Sequence, residues 1–285
     1  MSLTDKCTRQ SACQRVAELW NDVIAGFLRG EETHVRPPLD KWYGAYSGRG
    51  KGEVDLSCFP EPYLGDLLGS PRAAILALNP GGGVHEFQAK EGIFAKEIRE
   101  KGSYREWAKS WPYLGGSWGK NRHHKARMTF LRRWFGDDTL LPKDRIDFEL
   151  FPWHSQAVTG PMVPDPEIIR EFIWEPLKEL RVEFIFAFGR PWLDLLEKGN
   201  FPEVQVTDRI GEGGRIYASS RKKTSRTAVV KASTPWGGWL IIGKQLGFAG
   251  PPSGREIESI KHAFGFKVIP PTASNKVTQP LIEST

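Results

Sequence analysis

A chain of 285 residues with 39% hydrophobic and 26% charged side chains can bury a substantial core, which argues against disorder except at the ends and predicts one domain over 1–270 with a tail at 271–285. It has no run of 18 apolar residues and no apolar segment after its charged amino terminus, so neither a helical membrane span nor secretion is expected, and a cytoplasmic monomer is. A net charge of +6 points to an anionic partner, while three cysteines (Cys7, Cys13 and Cys58) without a C-x-x-C pair predict no disulfide framework, metal site or cofactor.

Val16, Leu19, Trp20, Val23, Ile24, Phe27 and Leu28 recur at helical spacing, with Ser11 and Gln14 as a capping box and Gly30 as a stop. A packing helix over 11–29 follows. Residues 31–72 carry prolines, glycines and isolated aromatics, and read as an irregular lead into the central strand. That strand, Ala73 to Leu78, opens a core region at 73–250 and stops abruptly in Asn79-Pro80-Gly81-Gly82-Gly83.

Residues 89–110 read as helical, and 111–119 break the pattern. The helix expected at 120–135 holds Lys120, Arg122, Lys125, Arg127, Arg132 and Arg133 with no acid among them. A solvated helix face ordinarily mixes signs, so this excess favours a phosphate-facing role. Arg145–Phe151 is a second strand, ending in Pro152-Trp153-His154-Ser155. Asp165 and Pro166 start a helix over 166–180, with a kink expected at Pro176. Val182–Phe188 is a third strand, followed by Gly189-Arg190-Pro191 and a helix over 191–198. Residues 200–226 are polar and irregular. Thr227–Ala232 makes a fourth strand running into Ser233-Thr234-Pro235-Trp236, and helices near 239–246 and 253–264 follow.

Strands alternating with helices predict an α/β fold, a three-layer α/β/α sandwich around a central, mainly parallel four-stranded sheet. The polar strand ends at Asn79, at Glu149 to Ser155 and at Ser233 to Trp236 are then expected to converge on one edge, where open α/β sheets bind ligands. Two readings of Asn79-Pro80-Gly81 are open: ordinary turn punctuation, or a site. The loop completes neither G-x-G-x-x-G nor a P-loop.

At these loops the chain resembles the uracil-DNA glycosylase superfamily. Leu78-Asn79-Pro80-Gly81 is similar to the first motif of its mismatch-specific and single-strand-selective branches. Glu149-Leu150-Phe151-Pro152 resembles the segment carrying the base-reading Asn, Phe188-Gly189-Arg190-Pro191 its strand-Gly-helix junction, and Ser233-Thr234-Pro235 its His-Pro-Ser or Asn-Pro-Ser loop. The resemblance implies a monofunctional glycosylase that flips a nucleotide out of double-stranded DNA and hydrolyses its N-glycosidic bond, leaving an abasic site. Asn79 would position the water, and backbone N–H groups at Gly81 and Gly82 would steady the base or a phosphate. Glu149 in place of Asn suggests cytosine, whose amino group a carboxylate can accept from; a structural ion pair is the other reading of Glu149.

Ser233 and Thr234 would replace the absent loop His at the leaving group. Phe87 would stack on the base and Trp236 would wedge into the duplex, each against the alternative of plain packing. His154 would meet a phosphate or the base, or act as a structural His. Arg122, Lys125, Arg221, Lys222 and Lys223 would contact DNA phosphates. Within the superfamily the chain looks like the prokaryotic anti-phage glycosylases that remove glucosylated 5-hydroxymethylcytosine. The competing expectations are a uracil or thymine mismatch glycosylase and an inactive DNA-binding protein on the same fold.

Overall fold

The computed structural model of the chain describes residues 10–119, 121–210, 229–243, 251–252 and 254–267. Seven strands, β1 (Tyr63–Leu64), β2 (Ala73–Ala77), β3 (Arg145–Glu149), β4 (Phe184–Phe188), β5 (Gln205–Ile210), β6 (Val229–Ser233) and β7 (Trp239–Gly243), form one sheet in the order β1-β3-β2-β4-β7-β6-β5. The pairings β3-β2, β2-β4 and β4-β7 are parallel, whereas β1-β3, β7-β6 and β6-β5 are antiparallel.

The α/β class is as expected, but the mainly parallel four-stranded sheet is corrected to a mixed seven-stranded one. The fourth parallel strand is β7, in the stretch expected to be helical near 239–246. Leu240, Ile241 and Ile242 are buried between β4 and β6, and so short an apolar run carries no periodicity that separates a strand from a buried helix. β6 pairs antiparallel to β7, so Val229–Ser233 runs opposite to the central strands. β5 lies in the stretch expected to be irregular: it is an edge strand with five of six residues exposed, so no alternating apolar pattern marks it.

Ten helices are described: α1 (Ala12–Arg29), α2 (Leu39–Gly44), α3 (His85–Gln88), α4 (Ile93–Lys101), α5 (Tyr104–Lys109), α6 (Arg122–Phe135), α7 (Pro166–Ile169), α8 (Glu175–Leu180), α9 (Arg190–Glu197) and α10 (Gly254–Ala263). The capping box and stop of α1 form as expected, with Ser11 Oγ accepting from the Gln14 N–H and Gly30 at φ +92°. The helix expected over 89–110 is divided by Gly102, at φ +81°, into α4 and α5. The expected kink at Pro176 is replaced by a π-helical turn at Arg170–Trp174, which joins α7 to α8 just before the proline.

Each face of the sheet feeds its own apolar cluster. Ala74, Leu76, Ile146 and Phe148 pack with Trp20 of α1, Phe94 of α4, Trp107 of α5 and Trp192 of α9. Ala73, Ile75 and Phe186 pack with Met128, Phe130, Leu131 and Trp134 of α6 and with Ile257 and Ile260 of α10. Helices therefore cover both faces, as layered α/β packing requires. Among the described residues no helix is long and apolar enough to cross a membrane.

Candidate active site

The carboxyl ends of β2 and β3 lie side by side, with Ala77 opposite Glu149. Beyond the strands the two chains stay paired. Leu150 N–H donates to Ala77 O at 2.9 Å, Phe151 N–H to Leu78 O at 2.9 Å and Ser155 N–H to Gly81 O at 3.0 Å. Two buried indoles hold this edge from outside the sheet: Trp192 Nε1–H donates to Ala77 O (3.2 Å) and Trp42 Nε1–H to Leu150 O (2.8 Å). Asn79 thus leaves the sheet on a fixed course, and its Nδ2 donates to both the carbonyl (2.9 Å) and the hydroxyl (3.0 Å) of Ser155. Those bonds orient the amide and leave Oδ1 as its acceptor for a further group. Gly81 sits at φ +89°, a conformation that favours glycine, and its carbonyl also takes a hydrogen bond from His154 Nδ1–H at 3.2 Å.

Beneath the loop lies a buried set of charges. Arg145, Asp147 and Glu149 alternate along β3 and so share the face covered by α6. From α6, Arg127 Nη1 reaches Asp147 Oδ2 at 2.7 Å and Glu149 Oε1 at 3.5 Å. Arg145 Nε lies 2.8 Å from Asp147 Oδ1, a close ion contact without hydrogen-bond alignment. Glu61 is also buried, and its Oε1 accepts from Gln88 Nε2 (2.7 Å) and Tyr113 Oη and lies 3.6 Å from His154 Nε2. Asp147 and Glu149 therefore share two guanidinium groups, with Asp147 held by both, while Glu61 has only the neutral donors Gln88 and Tyr113 and the nearby His154.

The imbalance falls on the least paired acids. Burial pushes the Glu149 carboxyl up to about 8 against the opposing pull of Arg127, and burial likewise raises Glu61. Burial, followed by the charges of Arg127 and Arg145, holds His124 well below its ordinary value and therefore neutral. Glu149 Oε2 is buried and has no hydrogen-bond partner. It lines a cavity of about 10 Å³ shared with Glu61, Tyr63, Pro80, His123 and Arg127, with room for about one water.

The structure thus brings Asn79, Gly81, Glu149 and His154 together at one edge. Gly82 is exposed beside Gln156. Fully buried His154 ties the glycine turn to the segment after β3, an arrangement that fits its structural reading and leaves it out of reach of a DNA phosphate. Phe87 packs against Trp118 (ring centroids 4.3 Å apart) and Phe94 (5.2 Å), away from the residues lining the cavity.

Ser233, Thr234 and Trp236 do not join the site. β7 runs parallel to β4 with Trp239 opposite Phe184, and Ser233 of β6 lies opposite Trp239, so Ser233–Trp236 sits at the amino ends of the central strands. A strand length of roughly 13 Å separates that edge from Glu149. Ser233 Oγ meets Gln205 O at 3.5 Å, and Thr234 is buried with its hydroxyl unpartnered. Trp236 Nε1–H donates to Val182 O at 2.9 Å while its ring packs on Trp174, so it serves as a packing residue and not a wedge. The expected convergence of three loops is therefore corrected to two, because the fourth parallel strand is β7. Residues 244–250, which follow β7 where it leaves the sheet at the Asn79 edge, lie outside the described residues, as do Arg221, Lys222 and Lys223.

The expected cationic face of α6 is divided. Arg127 turns inward to β3, and Arg132 donates to Leu140 O through Nε (3.1 Å) and Nη2 (3.0 Å). Arg122, Lys125 and Arg133 remain exposed along one stripe, lining a groove of about 360 Å³ closed by Pro251 and Pro252. The sequence reading missed Glu61, Arg145 and Asp147. The signal for the last two was the alternation Arg145-x-Asp147-x-Glu149 against Ile146, Phe148 and Leu150; Glu61, alone between prolines, carried none.

Asp55, Cys58 and His85 also come together, within 4.8 Å of one another, beside Gly83. No family model matches the chain, and no curated protein is significantly similar to it.

Proposed function

We propose that the chain is a monofunctional DNA glycosylase acting on a flipped modified cytosine, with glucosylated 5-hydroxymethylcytosine of phage DNA as the substrate to which the motif resemblance points, in anti-phage defence. The observation that carries this reading is the pairing of Ala77 with Glu149, which puts the strand end that leads into the oriented Asn79 amide next to the one that carries a buried carboxyl with one unpartnered oxygen. In the proposed reaction a water held by Asn79 Oδ1 attacks the anomeric carbon as the C–N bond breaks. The bond electrons leave with the base, and the water proton passes to solvent. Glu149 Oε1 faces Arg127, which leaves Oε2 to read the base. The exposed Arg122, Lys125 and Arg133 stripe suits DNA phosphates beside this edge. A base is far larger than the present cavity, so its admission requires the His123 and Pro80 walls to part.

The state of Oε2 decides what it reads. Ionised, it accepts from the cytosine amino group; protonated, it donates to a keto oxygen such as that of uracil. With Glu149 titrating at about 8, kcat/KM for the cytosine derivative is expected to rise with pH and level off above that value, while release of uracil falls over the same interval. Glu149→Gln is expected to flatten both profiles and to lower kcat/KM on the cytosine derivative by roughly 10- to 100-fold, the worth of one charged hydrogen bond. Parallel profiles for the two bases would contradict this assignment. The same protonation supports a second reading, a uracil or thymine mismatch glycosylase, since Glu149 holds its proton at neutral pH. Incubation with DNA carrying different natural modifications, followed by mass spectrometry of the released base, separates the two, and release of no base from any of them overturns both.

A further inference from the structure

We propose that Asp55, Cys58 and His85 form a zinc site that clamps the chain just after the glycine turn. The three side chains come from segments 27 residues apart, yet one ligand atom of each falls within 4.8 Å of the others. Asp55 divides its oxygens between two tasks. Oδ1 accepts from the Ser57 N–H (3.0 Å) and hydroxyl, closing a local turn, while Oδ2 points at His85 Nε2 (3.0 Å) and Cys58 Sγ (3.7 Å).

A zinc ion with about 2.3 Å to sulfur and about 2.0–2.1 Å to nitrogen and oxygen, in tetrahedral arrangement, places its ligand atoms roughly 3.3–3.6 Å apart. The two Asp55 spacings, 3.0 Å to His85 and 3.7 Å to Cys58, bracket that range, and the third pair lies within 4.8 Å, so side-chain shifts of about an ångström suffice. The donor set of thiolate, imidazole and carboxylate suits zinc and disfavours magnesium or calcium, which prefer oxygen alone.

A second observation is the space itself. A Cβ added to Gly83 would lie 2.6 Å from Cys58 Sγ and 2.7 Å from Asp55 Oδ2, so the glycine leaves open the flank where the donors meet. Cys58 is buried, whereas the His85 side chain is 66% exposed, giving the ion a path from solvent and a water as fourth ligand. On binding, the thiol proton goes to solvent and the imidazole proton sits on Nδ1, so that the thiolate and Nε2 take the metal in place of the thiol contact to Oδ2 and the Nε2 contacts to Oδ2 and Ser57 Oγ.

The clamp joins two segments that already flank the candidate active site. Asp55 N–H donates to His154 O at 2.8 Å, and His85 opens α3 six residues beyond Asn79. Zinc would therefore fix the far end of the loop that begins at Asn79, whichever reaction that loop serves.

The test is zinc uptake by the full chain after treatment with a chelator and re-addition of the metal, measured by elemental analysis after gel filtration. One zinc per chain is expected for the wild type and none for His85→Ala, a surface change whose fold can be verified by circular dichroism. Cobalt(II) in place of zinc should give a thiolate-to-metal absorption band that Cys58→Ser abolishes. Equal zinc in wild type and His85→Ala, or bound cobalt without the thiolate band, overturns the proposal.

Discussion

Replacing Arg127 by Met is expected to destabilise the chain by about 3–5 kcal/mol, read as a lower urea midpoint at unchanged slope. The arginine is buried in α6, with 2% of its side chain exposed, and it is the cation that bridges Asp147 at 2.7 Å and Glu149 at 3.5 Å. Met fills much of the same volume, so the cost comes from charge and not from a cavity. Arg145 still holds Asp147 from the other side, but Asp147 Oδ2 loses its hydrogen bond, and above about pH 8, where Glu149 is ionised, that carboxylate also loses its only ion-pair partner within 4 Å among the described residues. Arg127 also pulls the Glu149 carboxyl downward against burial, so its removal is expected to move the Glu149 titration above about 8. A protonated carboxyl group needs no cation; the Glu149 share of the stability gap between wild type and variant is therefore expected above about pH 8 and is lost as pH falls through that value. An Arg127→Met protein as stable as wild type would show that α6 and β3 are held together by their apolar contacts alone.

That one residue also shows where the sequence was legible and where it was not. In the chain, Arg127 is one of several cations on a helix with no acid nearby, and local patterning assigned it to a phosphate-facing surface. Its partners lie 20 and 22 positions later on β3 (147 − 127 and 149 − 127), and only the parallel pairing of β2 with β3 under α6 brings them within reach. Local signals served well where they decide structure locally. The capping box of α1, the run Ala73–Ala77 and the stop at Asn79-Pro80-Gly81 all stand as the sequence suggests. They fail where position in the sheet decides. Trp239–Gly243 is a strand because β4 offers it an edge, and Ser233–Trp236 lies at the wrong end of the sheet because β6 returns antiparallel. The Asp55, Cys58 and His85 grouping was hidden for a related reason: Asp55 and Cys58 flank one turn, but the third member, His85, lies 27 residues further on and is brought there only by the fold.

Asn79→Ala is expected to lower base excision by about 10²–10³-fold while leaving DNA affinity and the unfolding midpoint near those of the wild type. Asn79 is half-buried at the end of β2, and among the described residues its side chain hydrogen-bonds only to Ser155, so truncation breaks no strand pairing. What is lost is the direction of Oδ1. In the proposed reaction, rigid geometry at the strand end would let a single amide hold a water in line with the glycosidic bond, because the Ala77–Leu150 and Leu78–Phe151 hydrogen bonds fix the backbone on either side. Ser155→Ala serves as the graded control. It removes the hydroxyl bond at 3.0 Å and keeps the carbonyl bond at 2.9 Å, so a loss of only about tenfold is expected, since half of the anchor remains. A purely structural Asn79 would reverse that pattern, with stability falling alongside activity and DNA binding weakened in proportion. Single-turnover excision, DNA affinity at fixed salt and urea unfolding, measured together on both variants, distinguish a water-positioning amide from a turn residue.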